Sequence, residues 1–192
     1  MKPALRRPGR PRTRGAARAA IVSAADALFY ERGVDSVPLD EIARTAGVTR
    51  RTLYYHFEGK DQLVIEHVRL RDDAIQSAAK QSTILDAFTA LERLFCDRDY
   101  KGCAITNVAF SGVNAPPVVG RMTERHKREM EQWFIGQAKQ LKAREPEVVG
   151  RQLMLLYEGA AAMARVRRDR DIPRIAKDAA KRLLRSANAR VD

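Results

Sequence analysis

Cysteine and long apolar runs are both scarce in this 192-residue sequence. Its two cysteines, Cys96 and Cys103, exclude a disulfide framework, and a four-ligand zinc site would need histidines as well. No uncharged apolar run reaches the roughly 18 residues of a membrane helix, and no apolar segment follows the basic amino terminus. We therefore expect a cytoplasmic protein with reduced thiols, without a signal peptide or a membrane span.

Acidic residues are fewer than basic ones: the sequence has 24 Asp and Glu and 36 Lys and Arg, which gives a formal net charge of +12. The excess is concentrated at the amino terminus, where no acid precedes Asp26. A polyanionic partner is therefore expected, either nucleic acid or an anionic membrane surface. A membrane-binding arm needs apolar side chains that insert, and this arm offers little besides Leu5. The composition favours nucleic acid.

Apolar residues recur at intervals of three and four along the chain, and no sustained alternation of period two is present. This pattern predicts an all-α protein. One helix ends before Gly33 and another follows residue 61. The remaining predicted helices cover residues 38–46, 50–57, about 84–97, 104–111, about 118–142, 146 to about 168 and 171–187.

The most informative stretch, Leu39–Phe57, reads LDEIARTAGVTRRTLYYHF. It combines a short helix, a turn at Gly47, and a second helix that Thr49 can cap and whose exposed positions are Arg, Thr, Tyr and His. With the following GKDQL, this order resembles the DNA-binding domain of TetR-family transcriptional regulators over about residues 14–65. The resemblance implies a recognition helix that enters the major groove.

The resemblance also implies which residues contact DNA. Positions 50–56 supply most of the contacts, and Lys60 holds a phosphate at the start of the next helix. Two features depart from the family pattern: Val37 with Pro38 replaces a hydroxyl residue, and Arg51 replaces a small one. The expected DNA-binding set is Arg10, Arg12, Thr49, Arg50, Arg51, Thr52, Tyr54, Tyr55, His56 and Lys60.

The amino-terminal arm contains Arg7-Pro8-Gly9-Arg10-Pro11-Arg12, a Gly-Arg-Pro segment similar to an AT-hook. Such an arm inserts arginines into a narrow A·T-rich minor groove, or it acts as a general electrostatic contact to phosphates. The sequence leaves both alternatives open. Either role strengthens DNA binding.

The carboxy-terminal half resembles one TetR subgroup around Gly102–Ala109, where a GC-containing helix lies beside a ligand cavity. An apolar cavity with a few polar groups suits a small organic effector. For Cys103, a redox- or electrophile-sensing thiol and an inert buried thiol remain alternatives. No cofactor or metal site is expected. The candidate ligand-binding residues are Phe88, Phe95, Cys103, Asn107, Phe110, Trp133 and Tyr157.

These patterns predict a disordered basic arm (1–13), a helix-turn-helix domain (14–62) and a helical effector-binding and dimerisation domain (63–192). The expected protein is a homodimeric, sequence-specific regulator that binds a near-palindromic operator in double-stranded DNA. Specifically, we expect a repressor that leaves DNA when a small molecule binds to it. The alternative is a sequence-tolerant architectural DNA-binding protein without an effector. An enzyme is excluded, because the sequence has no triad order, phosphate loop or metal-ligand spacing.

Overall fold

The computed structural model describes residues 13–96, 100–111 and 116–187, and all regular structure in these ranges is α-helical. The expected all-α fold is confirmed, and the helix bounds agree with the sequence-based bounds to within a few residues. The helices are α1 (Arg14–Arg32), α2 (Leu39–Thr45), α3 (Arg50–His56), α4 (Lys60–Ala79), α5 (Ile84–Cys96), α6 (Ala104–Ala109), α7 (Pro117–Gln140), α8 (Pro146–Arg167) and α9 (Asp171–Ser186).

Local capping explains where the first helices begin and end. The Thr13 side chain accepts a hydrogen bond from the Ala16 amide at the start of α1. Gly33, at φ 83°, ends α1 with its amide donating to the Phe29 carbonyl (2.9 Å). Gly47, at φ 69°, makes the turn between α2 and α3. A residue with a β-carbon rarely adopts these positive φ values, which explains glycine at both positions.

The described residues divide into two compact units. The first unit contains those up to Arg71 together with those from Ala104 to Met122. The second unit contains those from Asp72 to Cys103 and from Thr123 onward. Helices α4 and α7 each contribute residues to both units.

In the first unit, a buried apolar core holds α2 and α3 against α1. Ile21, Ile42, Leu53 and Leu63 are fully buried, and each comes from a different one of the helices α1 to α4. Burial of a large aliphatic side chain contributes about 1.5–3 kcal/mol, so this core fixes the orientation of the short helix α3.

In the second unit, α5, α8 and α9 pack against one another and enclose a second core. Phe88, Phe134, Leu153 and Leu184 are buried at its centre. Ala176, Ala180 and Leu184 of α9, with Ala187 directly after it, are buried in this core, whereas Ile175 is 59% exposed. The second unit is therefore a helical bundle with its own hydrophobic core.

The crossing of α7 and α8 depends on Gly150. A β-carbon at this position would lie 2.6 Å from the Ile135 Cα and 2.7 Å from its backbone nitrogen. Backbone atoms cannot move aside as a flexible side chain can, so we expect Gly150→Ala to lower the free energy of unfolding by about 2 kcal/mol. Urea denaturation followed by circular dichroism measures this change.

Gly136→Ala is the matched control, because Gly136 also lies within a helix and a β-carbon there meets nothing within 4 Å. We expect it to stabilise the protein by up to about 1 kcal/mol, through the higher helix propensity of alanine. Equal effects of the two substitutions would contradict a close helix crossing at Gly150.

Candidate nucleic-acid interface

Helix α3 presents an exposed polar face above a buried anchor. Leu53 is fully buried and Phe57 is nearly so, whereas Arg50, Arg51 and Tyr55 are exposed. Tyr55, with 59% of its surface exposed, is an unusually accessible aromatic residue. A short helix anchored on one side and exposed on the other has the form of a recognition helix.

The amino terminus of α3 is fixed by hydroxyl groups. The Thr49 side chain accepts a hydrogen bond from the Thr52 amide (3.1 Å), as the sequence predicted for this cap. The two hydroxyl groups also lie 2.8 Å apart. Thr49 is exposed and Thr52 is half-buried, and the two residues flank the exposed Arg50 and Arg51 at the amino-terminal end of α3.

The two arginines of α3 differ in their surroundings. Arg50 pairs with Asp40 of α2, with its Nε 3.2 Å from Oδ1, and its guanidinium lies 5.6 Å from the centre of the Tyr54 ring. Arg51 is exposed and forms no ion pair with any residue in the described ranges. Arg51 is therefore not held by an ion pair in the described ranges, whereas the Arg50 guanidinium is engaged by Asp40.

Two further predicted DNA-binding residues lie at the end of α3 and at the start of α4. His56 is half-buried and its ring stacks edge-on with Tyr55, with centroids 5.1 Å apart. Lys60 is the first residue of α4, and its Nζ donates to the Asp35 carbonyl at 3.4 Å. Arg10 and Arg12 lie outside the described residues.

Two ion-pair clusters hold the helices that present α3. Arg32 at the end of α1 donates two hydrogen bonds of 2.8 Å to the Glu41 carboxylate of α2. Asp26 of α1 accepts from Arg71 through both oxygens, at 2.8 and 2.7 Å, and its Oδ1 lies 2.7 Å from Nδ1 of His67. Sequence reasoning missed these contacts, since partners up to 45 positions apart leave no local signal.

Charge pairing determines the ionisation of Asp26. Partial burial alone would raise the pKa of this carboxyl, but hydrogen bonds from His67 and Arg71 outweigh burial and hold its pKa below the ordinary value. His67 is itself buried, and Arg71 packs its guanidinium 4.4 Å from the centre of the Tyr30 ring. The cluster therefore joins α1 to α4 through a charged and largely buried contact.

The second unit contains a mostly apolar cavity of about 220 Å³. Trp133 and Tyr157, two of the predicted ligand-binding residues, line it. Phe88 is not one of the lining residues, but its ring packs edge-on against the Tyr157 ring, with centroids 5.6 Å apart. Sequence reasoning did not assign the residues that α4 and α5 contribute to the lining: Ile75, Gln76, Ala78, Ala79, Ala87, Ala90 and Leu94.

Polar groups at this cavity are few and mostly paired. The Gln76 amide donates to Glu129 (2.8 Å), and the Trp133 indole donates to the Ala79 carbonyl (3.0 Å). Burial raises the pKa of Tyr157 to about 12, so its hydroxyl stays neutral at physiological pH. The cavity is therefore suited to a small, largely apolar molecule.

The other predicted ligand-binding residues are not among those that line this cavity. Phe95 borders a separate basic pocket with Lys101 and Arg165, and Cys103 is half-buried in the same unit. Asn107 and Phe110 belong to the first unit, where Phe110 is 84% exposed. Of the seven predicted residues, the structure places Trp133 and Tyr157 together at one cavity.

No helix in the described ranges combines the length and the apolar character that a bilayer span requires. Residues 21–66 match the family model described as "Bacterial regulatory proteins, tetR family". These residues run from α1 into α4 and include the whole of α2 and α3. The matched region therefore coincides with the helix-turn-helix and the helices that support it.

Curated relatives match over part of the chain. TtgR, an HTH-type transcriptional regulator of Pseudomonas putida, is 35% identical over 80 residues, which are 40% of this chain and 38% of TtgR. BepR, an HTH-type transcriptional repressor of Brucella suis biovar 1, is 56% identical over 43 residues, 22% of this chain and 21% of BepR. The chain thus spans under two-fifths of the length of these relatives.

Solved structures match over most of the chain. SCO4454, a TetR-family transcriptional regulator from Streptomyces coelicolor, has a TM-score of 0.75 and 29% identity, and the match covers 90% of this chain and 96% of SCO4454. The likeness extends to the carboxy-terminal helices, which the family model does not reach. The chain therefore carries a TetR-family helix-turn-helix region at residues 21–66, and its described helices share the fold of a TetR-family transcriptional regulator.

Proposed function

We propose that this protein is a homodimeric, sequence-specific DNA-binding regulator, and that it acts as a cytoplasmic repressor released by a small organic effector. The observation that carries the proposal is the exposed face of α3, which is braced by α2 and anchored through Leu53. Its side chains suit the major groove, since Arg51 can donate two hydrogen bonds to a guanine and Tyr55 can contact a thymine methyl or a phosphate.

An exposed apolar stripe on α8 supports the dimer. Val148, Leu155, Met163 and Val166 follow one another at helical spacing, and Leu155 and Val166 are 72% and 80% exposed. Apolar stripes of this kind mark protein interfaces. A two-fold dimer presents two α3 helices to one face of the duplex, about 34–36 Å apart, and so reads a near-palindrome.

We expect Leu155→Glu to shift the protein toward the monomer, because it places a charge within this stripe. The monomer–dimer dissociation constant should rise by at least about tenfold, and sedimentation velocity over a concentration series measures it. Gln140→Glu, at the exposed end of α7, adds the same charge as a control and should leave the constant unchanged. If both variants remain dimeric at all concentrations, α8 is not the interface.

The cavity in the second unit supports an effector. Helix α4 carries Leu63 and Val64 in the core of the first unit, and it carries Ile75 and Gln76 at the cavity. An effector with different affinities for two conformers of this helix shifts the population toward the conformer it prefers. DNA release follows when the preferred conformer does not match the spacing of the half-sites.

Effector binding has a built-in reporter, because Trp133 is the only tryptophan in the sequence and lines the cavity. At about 220 Å³ the cavity is smaller than a typical drug site of about 300–1,000 Å³, so small aromatic compounds are the appropriate panel. A true effector changes Trp133 fluorescence and releases DNA at the same concentration. Ala87→Phe, which fills the cavity, should abolish both responses.

We expect the basic amino-terminal arm to strengthen DNA binding, and a deletion tests this contribution. Deleting residues 1–12 removes five Lys or Arg residues and leaves the Thr13 cap of α1 in place. We expect weaker DNA binding and a shallower slope of log K against log salt, by about 0.9 for each phosphate that the arm no longer neutralises. Fluorescence anisotropy with a labelled duplex at several salt concentrations measures the slope. An unchanged slope would mean that the arm does not contact phosphates.

Selection of bound fragments from a random duplex library at physiological salt tests the function itself. Enrichment of one near-palindrome is the expected result. Diffuse enrichment of A·T-rich fragments without paired half-sites would contradict a sequence-specific regulator and favour an architectural DNA-binding protein.

A further inference from the structure

An exposed acid lies beside the helix that we propose to read DNA. Asp40, in the first turn of α2, has 64% of its side chain exposed and contacts Arg50 of α3. The next residue, Glu41, is only 20% exposed and pairs with Arg32 of α1. The two adjacent carboxylates therefore make different contacts: Glu41 joins α2 to α1, whereas Asp40 contacts α3.

A carboxylate at this place opposes DNA binding by its charge alone. Arg50 is the first residue of α3, and the amino-terminal residues of a recognition helix are those that face base edges. The Asp40 carboxylate lies within hydrogen-bond distance of Arg50, so it lies close to the same surface. A negative charge there repels the DNA phosphates. Its net effect on binding therefore depends on what it does to Arg50.

The contact with Asp40 engages only part of the Arg50 guanidinium. Nη1 donates to Oδ2 of Asp40 at 3.3 Å, and Nε lies 3.2 Å from Oδ1. The hydrogen bond uses one N–H group of Nη1, whereas arginine has further N–H donors on Nη1 and Nη2. A guanine accepts from two such donors, through O6 and N7. Arg50 can therefore contact a guanine while it remains paired with Asp40.

A second contact holds the same guanidinium from its own helix. The Arg50 Cζ lies 5.6 Å from the centre of the Tyr54 ring, which is about one turn further along α3. A cation within about 6 Å of an aromatic ring is attracted to it. Arg50 is therefore held between a carboxylate on α2 and a ring on α3. A side chain that is already held loses less freedom when it binds a base.

The pair of Asp40 and Arg50 matters for orientation rather than for stability. Both side chains are 64% exposed, and an exposed ion pair contributes little to the free energy of unfolding. A bound duplex excludes water from this surface, and the attraction between two charges is stronger where water is excluded. The pair therefore has its largest effect in the complex with DNA.

We propose that Asp40 is the positioning residue that makes Arg50 selective for a guanine in each half-site. It holds the guanidinium toward the base. Its charge also penalises a site that lacks the guanine, because Arg50 can turn to a phosphate only by leaving the carboxylate unpaired beside the DNA. This inference rests on the proposed function, since it concerns the same surface, and it adds an acid that sequence reasoning did not include in the DNA-binding set.

Asp40→Asn tests the proposal, because asparagine has nearly the size of aspartate and lacks its charge. Fluorescence anisotropy at fixed salt compares binding to the selected operator with binding to a shuffled duplex of the same composition. We expect the variant to bind the shuffled duplex at least about threefold more tightly, and to bind the operator no more tightly than the wild type does. An unchanged or increased ratio of the two affinities overturns the proposal.

The matched control is Glu31→Gln. Glu31 is exposed near the end of α1 in the same unit, and its replacement removes the same charge without removing the partner of Arg50. It should change the ratio by less than about twofold. An equal fall in the ratio would mean that net charge alone sets it, and would overturn the proposal. Asp40→Glu keeps a carboxylate, so its ratio should lie closer to the wild-type value than that of Asp40→Asn.

The salt dependence gives a second readout on the shuffled duplex. Without Asp40, Arg50 is free to neutralise a phosphate, so the slope of log K against log salt should steepen by about 0.9 for each phosphate gained. A carboxylate that merely supports the start of α2 would leave this slope unchanged. Folding does not obscure these results, since Asp40 and Arg50 lie outside the buried core, and circular dichroism verifies the helix content.

Selection from a random duplex library identifies the base position. The wild type, Asp40→Asn, Arg50→Ala and the double variant are compared. We expect both single variants to lose guanine preference at the same position of each half-site, and the double variant to resemble Arg50→Ala, because Asp40 acts through Arg50.

The outcomes of this selection separate the two proposals. A wild-type base preference that Asp40→Asn retains, or a loss at a different position from that of Arg50→Ala, overturns the role of Asp40 and leaves the sequence-specific regulator in place. A wild type without any preferred sequence contradicts the proposed function, and the role of Asp40 with it.

Discussion

Replacing Arg51 and Tyr55 together with alanine should reduce operator affinity by about a hundredfold. Both side chains lie on the exposed face of α3, and Arg51 has no ion-pair partner within the described ranges. A bidentate arginine–guanine contact is worth about 1–3 kcal/mol, and the loss of the tyrosine contact adds to this. Fluorescence anisotropy with the selected operator at fixed salt measures the change.

The matched control for this double variant is Arg93→Ala. Arg93 is exposed on α5 in the second unit, so its replacement also removes a positive charge from a helix surface. It should change affinity by less than about twofold, the size of a remote electrostatic effect. Because neither Arg51 nor Tyr55 is part of the core, the double variant should keep the wild-type urea midpoint. A tenfold loss with Arg93→Ala would indicate non-specific electrostatic binding.

The second large effect concerns stability. Asp26→Asn should lower the free energy of unfolding by about 3 kcal/mol, because it leaves the buried His67 and the guanidinium of Arg71 without their shared carboxylate. The control is Asp40→Asn, which breaks the exposed pair with Arg50 and should cost less than about 1 kcal/mol. Urea denaturation at pH 7 measures both values.

The pH dependence provides a further check on Asp26. Its pKa is lowered by folding, so its contribution to stability is complete above the ordinary Asp pKa of about 3.9 and is lost as the pH falls through the lowered value. The difference in stability between the wild type and Asp26→Asn should therefore shrink with acidification below pH 4. A difference that stays constant down to pH 2 would contradict a charge-based role for Asp26.

Much of the fold could be predicted from the sequence because its signals are local. The Thr49 cap, the turns at Gly33 and Gly47, and the proline that opens α8 each act within a few residues. Helical periodicity likewise reports on neighbours along one helix. These local signals are sufficient to predict the helix bounds and the helix-turn-helix without any tertiary contact.

Other features depend on long-range contacts and could not be predicted in this way. The pairing of Arg50 with Asp40 joins residues on two different helices, and no local sequence pattern indicates it. The structure groups the described residues from Ala104 to Met122 with the helix-turn-helix unit, although nothing in their apolar pattern indicates which neighbour they contact. Phe110 resembles a core or cavity residue in the sequence and yet is 84% exposed.

The proposed function requires that α3 read DNA bases through its exposed face. The most direct measurement is the selection from a random duplex library carried out in parallel with the wild type and with Arg51→Ala. We expect the wild type to enrich a near-palindrome, and Arg51→Ala to lose base preference at one position in each half-site while keeping the others. Identical base preferences for the two proteins would contradict the claim.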